Sequence, residues 1–464
     1  MQKNIKHMFI LMFALFVVMA GYFVHVAAVQ AAGFVANPFN ARVHVGNPAI
    51  RRGSIYDAHG EVVVESVLTD GVYTRQYPFG AVFAHVGGFS AHSNSGLELA
   101  RNFEMYRLNW ELAQRFRRAA FGDELEGNSV VTTLDAHLQS LLYNGLAGGR
   151  GAAVAIRPQT GEVLAMVSTP GFDPNTIAAD WGILSADTLN SPLLNRAASG
   201  LYPPGSTFKI VTALAALNYD PNLINFTIDC QGRAIFGENA LQCAFAAEHG
   251  VVDMTRAMAV SCNIYFATLA QEIGAAQLIA TARQLGFNNP IAFELMASTP
   301  QFPMSYNTSL SELIETSFGQ GRILTTPLHM AILISALANE GMAMHPYIVN
   351  RIITPSGGTV SQNLPRQKGQ IIPPGDTAII SEMLREAVII GTGRPAYLPN
   401  LPIAGKTGTA ENAGGIDHSW FMGFAPVDNP QIAIAVIIEG TGGGPRATLL
   451  ARDGFVEFLL DPGR

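Results

Sequence analysis

The sequence predicts an α+β protein in which helices cover an antiparallel sheet, preceded by a transmembrane helix and a small strand-rich module. A long apolar run opens the chain, short β-like runs with Gly and Pro follow it, and apolar helical stretches fill roughly positions 207–280. Strands return near "PIAGKTGTAE" and "QIAIAVIIEG". Strands, then helices, then strands again are typical of α+β folds and not of a regular βαβ array.

The composition indicates a large core and argues against a nucleic-acid partner. The chain has 464 residues, of which 48% are hydrophobic and 14% charged, and its formal net charge is −7. A chain of this length can hold more than one domain. Because a nucleic-acid-binding protein normally carries a basic surface, we expect no nucleic acid among the partners.

The N-terminus predicts a membrane anchor. The run from Met8 to about Ala32 is almost free of polar side chains, and roughly 20 apolar residues suffice to cross a bilayer. Lys3 and Lys6 precede the run, which places the N-terminus in the cytoplasm and the rest outside. The alternative is a signal peptide cleaved after the small residues that end the run. The apolar run is long for a signal peptide, and this favours an uncleaved anchor.

The elements between the anchor and the helical middle follow from local patterns. The stretch "SGLELARNFEMYRLNWELAQRFRRA" is amphipathic and predicts a helix. The stretch "SVVTTLDAHLQSLLYNGLA" predicts a short strand and then a helix with Asp135 near its start. The stretch "GAAVAIRPQTGEVLAMVSTP" reads as a β-hairpin around a Pro-Gln-Thr-Gly turn. A helix over "ATLLARDGFVEFLL" closes the chain.

A serine and a lysine stand one helical turn apart in "YPPGSTFKIVTALAAL". The Pro-Pro-Gly run disfavours helix before Ser206, so Ser206 should lie near a helix N-terminus with Lys209 on the same face. A serine hydroxyl needs a base to become a nucleophile. A neutral lysine amine can be that base, since burial and a nearby cation both lower a lysine pKa. By itself this SxxK pattern is weak, because an N-cap serine and a surface lysine give the same spacing.

Two further motifs strengthen the case for catalysis. "SCN" at Ser261–Asn263 falls on a predicted loop between helices, and "KTGTA" at Lys406–Ala410 falls on a predicted strand. On that strand Lys406 and Gly408 share a face, and a glycine there would let a substrate backbone approach the strand. The order SxxK, SxN, KTG is the motif set of class A β-lactamases and penicillin-binding proteins.

The chain resembles a class B penicillin-binding protein, a monofunctional peptidoglycan D,D-transpeptidase of the penicillin-binding protein 2 or division type. "RGSIYD", "SGLE", "VVTTLDAHLQ", "NRAASGLYPPGSTFKI" and "GQGRILTTPLHMA" occur in the family's order. The resemblance implies a cytoplasmic tip and anchor at 1–32, an N-terminal pedestal of the dimerisation type at 33–128, and a serine β-lactamase/transpeptidase-like domain at 129–464. It also implies peptidoglycan stem peptides as substrates, β-lactams as inhibitors, a membrane glycosyltransferase as partner, and neither cofactor nor metal.

The resemblance assigns catalytic roles to five positions. Ser206 would be the acylated nucleophile and Lys209 its base. Ser261 would relay a proton to the leaving amine, and Asn263 would hold the donor peptide's amide. The backbone N–H groups of Ser206 and Thr409 would form the oxyanion hole, which is often a large catalytic contribution.

The KTG strand would hold the substrate. By resemblance Lys406 would bring positive charge near the substrate carboxylate, and Thr407 and Thr409 would be hydroxyl contacts beside Gly408. Only five lysines occur in the chain, so two in the motifs are notable. Since two cations cannot easily share one pocket, we expect the charge of Lys406 to help keep Lys209 neutral.

Cys230, Cys243 and Cys262 are the three cysteines of the chain. Outside the cell a Cys230–Cys243 disulfide is one interpretation. Three buried small side chains are the other, and spacing alone does not decide between them. Cys262, the middle residue of SxN, is interpreted as a packing residue.

Three other functions compete with transpeptidation. A class A β-lactamase needs a glutamate that activates the deacylating water, and the sequence around Glu294 is a poor match to that motif. A D,D-carboxypeptidase would use the same motifs and transfer the acyl group to water. A penicillin-binding sensor would also keep them. The N-terminal family markers favour transfer to an amine.

Overall fold

The structure is a computed structural model that describes residues 2–26, 50–91, 93–106, 125–411 and 415–460. Its first helix is α1, Gln2–His25. The stretch Ile5–His25 within it is long and apolar enough to cross a membrane. The helix therefore fits the predicted anchor. The anticipated end of the apolar run, near Ala32, lies outside the described residues.

The N-terminal module contains short strands and helices. They are β1 Ile50–Arg51, β2 Ile55–Tyr56, β3 Val62–Thr69, β4 Val72–Gln76, α2 Ala84–Gly87, α3 Gly96–Ala100, α4 Asn102–Tyr106 and β5 Leu125–Glu126. The amphipathic helix predicted here is confirmed as the two short helices α3 and α4, and its remainder lies outside the described residues.

The larger part of the chain alternates between strands and helices. Its first half comprises β6 Ser129–Thr132, α5 Ala136–Leu146, β7 Gly151–Ile156, β8 Val163–Thr169, α6 Ile177–Ala186, α7 Arg196–Ser199, α8 Lys209–Tyr219, β9 Ile228–Cys230, β10 Arg233–Phe236, β11 Asn239–Gln242, β12 Gly250–Val252, α9 Met254–Ala259 and α10 Asn263–Gln284. Its second half comprises α11 Leu310–Ser317, α12 Pro327–Ala338, β13 Met342–Met344, β14 Val349–Ile353, β15 Thr359–Gln362, β16 Gln367–Gln370, α13 Pro374–Ile389, β17 Ala404–Ala410, β18 His418–Ala425, β19 Ile432–Ile438 and α14 Arg446–Leu460.

A five-stranded sheet forms the centre of this part. Its order is β17-β18-β19-β7-β8, and every neighbouring pair is antiparallel. Helix α12 packs on one face, and α5 and α14 pack on the other. Alternate residues of β19 therefore enter different cores: Ala433, Ala435 and Ile437 join one, whereas Ile434 and Val436 join the other. Burial on both faces explains why β19 reads as an unbroken apolar run.

A second sheet joins the N-terminal module to the rest of the chain. Its order is β15-β14-β6-β2-β3-β4, in which β2 pairs parallel to β6 and β6 pairs antiparallel to β14. The predicted α+β class, the predicted hairpin and the predicted strands are confirmed. The small strands β9 to β12, which interrupt the helical middle, were not predicted.

Candidate active site

Ser206 lies in a tight turn that leads into a buried helix. A single 3₁₀ turn covers Gly205–Phe208, and α8 begins at Lys209. Gly205 has a positive φ of 54°, and a Cβ there would lie 2.3 Å from the carbonyl oxygen of Thr409. Glycine is therefore required, because the turn and strand β17 are in direct backbone contact.

Two side chains fix the backbone ahead of the nucleophile. The indole Nε1 of Trp420 donates to the carbonyl oxygen of Pro203 at 3.0 Å, and Thr207 Oγ1 donates to that of Pro204 at 2.7 Å. Trp420 is itself buried. Its indole N–H lies where the Pro203 carbonyl needs a hydrogen-bond donor. This placement depends on the tertiary fold, and no local sequence motif predicts it.

Lys209 is fully buried and connects the first two motifs. Its Nζ lies 3.0 Å from Ser206 Oγ and 3.1 Å from Ser261 Oγ. The same Nζ lies 2.7 Å from the carbonyl oxygen of Ser261 and 2.7 Å from Asn263 Oδ1. The predicted convergence of SxxK and SxN on one amine is therefore present in the structure.

The partners of Lys209 suit a neutral amine. A neutral amine has two N–H donors and one lone pair. The carbonyl of Ser261 and the amide oxygen of Asn263 can only accept, so the two N–H groups go to them at the two shortest distances. The lone pair then faces the hydroxyls of Ser206 and Ser261. This arrangement can take a proton from one hydroxyl and return it through the other.

Burial lowers the pKa of the Lys209 ammonium to about 7. Removal from water disfavours the charged form of an amine, and the side chain has no exposed surface. Lys209 is therefore largely able to act as a base near neutral pH, which is the range in which general bases are most effective.

The SxN motif lies between α9 and α10, as predicted. Ser261 has a positive φ of 58°, which is a costly conformation for a residue with a side chain and occurs often at functional sites. Cys262 is the N-cap of α10. Asn263 bridges two parts of the site, because its Oδ1 accepts from Lys209 and its Nδ2 donates to the carbonyl of Gln242 at 3.1 Å.

The KTG strand is β17, the edge strand of the central sheet. Lys406 and Gly408 are buried on one side, while Thr407 is half-buried and Thr409 exposed on the other. The role of Gly408 beside a substrate backbone stays a prediction, and the structure adds a second reason for a glycine at this position. A Cβ at Gly408 would lie 3.0 Å from Thr207 Cγ2, so this glycine makes room for the nucleophile turn.

Lys406 is buried as deeply as Lys209. Its Nζ donates to the carbonyl oxygen of Thr407 at 3.2 Å. Burial, and secondarily the charge of Lys209, hold the pKa of Lys406 well below its usual range. Burial is the first cause of the lowered pKa of Lys209, and the charges of the two lysines interact, so the expectation that Lys406 helps to keep Lys209 neutral stays a prediction.

Thr392 is a contact that the sequence did not reveal. Its Oγ1 lies 2.6 Å from Thr407 Oγ1, and its backbone N–H donates to the carbonyl oxygen of Ala259 at 3.0 Å. It therefore links the KTG strand to the helix before SxN. It stands in "GTGRP", a loop-like stretch whose composition points to no chemistry.

Three residues outside the motifs stabilise the structure near the site or in the core. The carbonyl oxygen of Gly319 accepts from the backbone N–H of Gly205 at 2.9 Å, which supports the nucleophile turn. His418 Nδ1 accepts from the backbone N–H of Gly440 at 3.1 Å. His329 is buried and contacts the Thr325 hydroxyl and the Leu285 carbonyl oxygen, so it is a core residue.

Glu294 does not serve as a deacylating glutamate in this arrangement. Its carboxylate accepts from the backbone N–H groups of Ile348 and Val349, at 3.1 and 3.2 Å. It lines a cavity of about 400 Å³ together with Arg101 and Arg366. The carboxylate thus holds backbone that belongs to the second sheet.

The chain matches two family descriptions. Residues 151–454 match the penicillin binding protein transpeptidase domain. Residues 52–130 match the penicillin binding protein A dimerisation domain. Both matches agree with the resemblance drawn from the motifs.

Whole-chain comparisons give the same family. The chain is 34% identical to the peptidoglycan D,D-transpeptidase PbpA of Mycolicibacterium smegmatis, over 90% of this chain and 89% of that protein. It is 32% identical to the peptidoglycan D,D-transpeptidase MrdA of Acinetobacter baumannii, over 83% and 66%. The ceftriaxone acyl-enzyme complex of penicillin-binding protein A from M. tuberculosis superposes with a TM-score of 0.83, at 30% identity, covering 89% of this chain and 99% of that one.

Proposed function

Because this chain belongs to the penicillin-binding protein transpeptidase family, we propose that it cross-links peptidoglycan stem peptides through an acyl-enzyme on Ser206. It is a peptidoglycan D,D-transpeptidase. The observation that carries the choice of Ser206 is its hydroxyl 3.0 Å from a buried lysine amine of lowered pKa. The same geometry supports β-lactams as inhibitors.

Acylation begins with proton transfer from Ser206 Oγ to Lys209 Nζ. The oxygen attacks the carbonyl carbon of the scissile D,D-peptide bond, and a tetrahedral oxyanion forms. The backbone N–H groups of Ser206 and Thr409 stabilise that oxyanion. The close approach of Gly205 to the Thr409 carbonyl, which brings the two backbones together, supports this pairing.

The leaving amine then needs a proton. Ser261 Oγ lies 3.1 Å from Lys209 Nζ, so the proton taken from Ser206 passes to the amine through this hydroxyl. The carbonyl–nitrogen bond breaks and the ester on Ser206 remains. An acceptor amine attacks the ester, and the same groups act in reverse to restore the free serine. Attack by an amine rather than water distinguishes this reaction from carboxypeptidase activity.

The substrate binds along the free edge of strand β17. An edge strand offers backbone groups to an extended peptide, and Thr407 and Thr409 present hydroxyls on the accessible side. We assign Lys406 to the substrate carboxylate, whose negative charge would favour the protonated amine although burial lowers its pKa. The second N–H of the Asn263 side-chain amide donates to the amide of the substrate stem peptide.

The decisive experiment locates the adduct. Penicillin should form a long-lived ester on Ser206, because Glu294, the glutamate considered for deacylation, is instead bound to the backbone of the second sheet. Trypsin cleaves after Arg196 and Lys209, so mass spectrometry should find the added mass on the peptide 197–209. An adduct on another peptide, or none, would refute the assignment. Turnover of a stem-peptide ester with and without an added amine then separates transfer from hydrolysis.

The proposed setting is the outer face of the cell membrane. Helix α1 supports a single membrane anchor. Lys6, which precedes most of the apolar run, supports a cytoplasmic N-terminus. We propose module boundaries at 1–32, 33–128 and 129–464, with the pedestal offering a surface to a membrane glycosyltransferase. Protease added to intact spheroplasts should degrade the catalytic domain. Its protection would refute this orientation.

A further inference from the structure

All three cysteines of the chain meet one histidine beside the catalytic loop. Cys230 ends β9, Cys243 follows β11, His249 precedes β12, and Cys262 is the middle residue of SxN. The ligand atoms of these four residues lie within 4.8 Å of one another. The cysteines are buried and no disulfide joins them, so the Cys230–Cys243 bond considered from the sequence is not formed in the structure.

The sulfur atoms form a nearly equilateral triangle. The Sγ–Sγ distances are 3.4 Å for Cys230–Cys262, 3.6 Å for Cys243–Cys262 and 3.7 Å for Cys230–Cys243. His249 Nδ1 lies 3.4 Å from Cys230 Sγ. Tetrahedral zinc with Zn–S bonds of about 2.3 Å places its sulfurs about 3.8 Å apart. Three sulfurs and one imidazole nitrogen thus approach the corners of a tetrahedron.

The backbone around the cluster is arranged to present these groups. The backbone N–H of Cys243 donates to the Gly232 carbonyl, and that of His249 donates to the Cys230 carbonyl, each at 3.0 Å. Between them Phe245 and Ala246 both have positive φ, of 55° and 52°. Two consecutive non-glycine residues in this region are costly. The turn bends Cys243 and His249 towards the same point.

A backbone donor also faces one of the sulfurs. The N–H of Tyr265 donates to Cys262 Sγ at 3.4 Å. Such bonds stabilise thiolates, which are the form that binds metal. Simple packing of cysteines as small apolar side chains would not require donors aimed at them.

We propose that Cys230, Cys243, His249 and Cys262 bind one Zn²⁺ ion in a structural Cys₃His site. Sulfur and imidazole in a closed tetrahedral set favour zinc among the common divalent ions. On binding, three thiols release their protons to solvent and form three Zn–S bonds, while the Nδ1 lone pair of His249 forms the fourth. No electron is transferred.

The site holds the SxN motif in place. Cys262 separates Ser261 from Asn263, and both neighbours contact Lys209 Nζ. A metal on Cys262 ties this loop to β9 and to the turn 243–249, which supports the left-handed backbone of Ser261. The metal also protects the thiols from oxidation outside the cell. The catalytic part of this inference rests on the proposed role of Ser206 and Lys209.

The first test is the metal content of the untagged full-length chain. The protein purified in detergent without chelator should contain about one zinc ion per chain, as measured by inductively coupled plasma mass spectrometry. Cobalt exchanged into the site should give the intense visible bands of tetrahedral thiolate coordination. A chain that takes up no zinc from zinc-containing buffer would overturn the proposal. So would a chain whose intact mass is lower by two hydrogen atoms, the sign of a disulfide.

Two ligand variants and one control assign the ion to the site. Cys230→Ser and His249→Asn lie outside the catalytic motifs, and each should weaken zinc binding by at least about tenfold. His137→Asn changes an exposed histidine of the same domain and should retain the full zinc content. Equal zinc in parent and ligand variants would place the metal elsewhere and overturn the assignment.

The catalytic consequence is measured separately. Removing zinc from the parent with a chelator under reducing conditions should slow acylation by a fluorescent penicillin at least about tenfold, and added Zn²⁺ should restore the rate. Unchanged acylation after complete removal would overturn the positioning role. A penicillin adduct away from Ser206 in zinc-loaded protein would instead refute the proposed function and leave the metal site intact.

Discussion

Lys209 shows how burial changes the chemistry of one side chain. In water an amine of this type is protonated at neutral pH, whereas here burial brings its pKa to about 7. Its two N–H groups are taken by the Ser261 carbonyl and the Asn263 amide. The lone pair is therefore aimed at a hydroxyl before any substrate arrives.

At this scale the sequence predicted which residues meet and offered two causes for a neutral amine, burial and a nearby cation, without deciding between them. Motif order was enough to bring Ser206, Lys209 and Ser261 together. The cause of the lowered pKa is a tertiary property, because desolvation depends on elements that are distant in sequence. The packing of Gly408 against Thr207 was likewise not predicted, since strand alternation gives the face on which a residue lies but not the residues that cover it.

Replacing the base while keeping its charge tests this account. Lys209→Arg should slow acylation by about 100-fold or more, because arginine cannot lose its proton near neutral pH. The rate is measured by stopped flow with a fluorescent penicillin. Lys368→Arg, at a lysine of the surface strand β16, should acylate like the parent. An arginine variant within a few-fold of the parent rate would make Lys209 structural only.

The pH dependence of acylation tests which lysine governs the proton. Below the lowered pKa, Lys209 holds a proton and cannot accept one, so the rate should rise with pH through about 7. Because burial is the first cause of this pKa, Lys406→Ala should lower the rate but leave the midpoint near 7. If the midpoint moved to higher pH in that variant, Lys406 would be charged in the parent and would lower the pKa of Lys209. Circular dichroism confirms that both proteins are folded.

At the scale of elements, the site depends on how closely the nucleophile turn meets β17. Gly205→Ala should abolish most acylation, because its Cβ would overlap the Thr409 carbonyl oxygen and its φ is positive. Thermal unfolding should show a destabilisation greater than about 1 kcal/mol. Gly375→Ala, in α13 with open space around it, should leave acylation unchanged. Normal acylation by the Gly205 variant would mean that the turn tolerates displacement.

The predicted and unpredicted elements differ in what stabilises them. Strands β7, β8 and β19 were predicted because burial on both faces demands a continuous apolar run. Strands β9 to β12 have three or four residues each and little apolar pattern. Their neighbourhood is organised by the Cys230, Cys243, His249 and Cys262 cluster, whose formation depends on residues from four separate segments.

At the scale of the molecule, the second sheet combines segments that are far apart in the sequence. Strand β2 pairs in parallel with β6, and β14, which comes much later in the chain, pairs with the other edge of β6. Sequence patterns give strands but not partners at such separations, because nothing local specifies the pairing. The junction between the N-terminal module and the catalytic part was therefore beyond sequence reasoning.

Glu98 is the centre of a buried charge cluster in the N-terminal module. Arg52 Nε and Arg75 Nε donate to its carboxylate at 2.6 and 2.8 Å, and Glu98 has no exposed surface. Burial alone would raise its pKa, but the two arginines hold the pKa of Glu98 below its usual value. The carboxylate therefore stabilises the fold above the unfolded pKa of about 4.3, and that contribution is lost as pH falls through the folded pKa.

Glu98→Gln should destabilise the protein by about 3 kcal/mol or more, because it leaves two buried arginines without their counter-charge. Denaturant unfolding of the full chain at neutral pH measures the loss. The variant should also lack the acid-dependent decrease in stability that the parent shows. Glu104→Gln removes a half-exposed partner of Arg101 at 3.5 Å, and should change stability by less than about 1 kcal/mol. Since Glu98 does not contact the catalytic cluster, molecules that remain folded should acylate at the parent rate. Slower acylation by folded Glu98→Gln protein would show instead that the N-terminal module acts on the active site through the shared sheet.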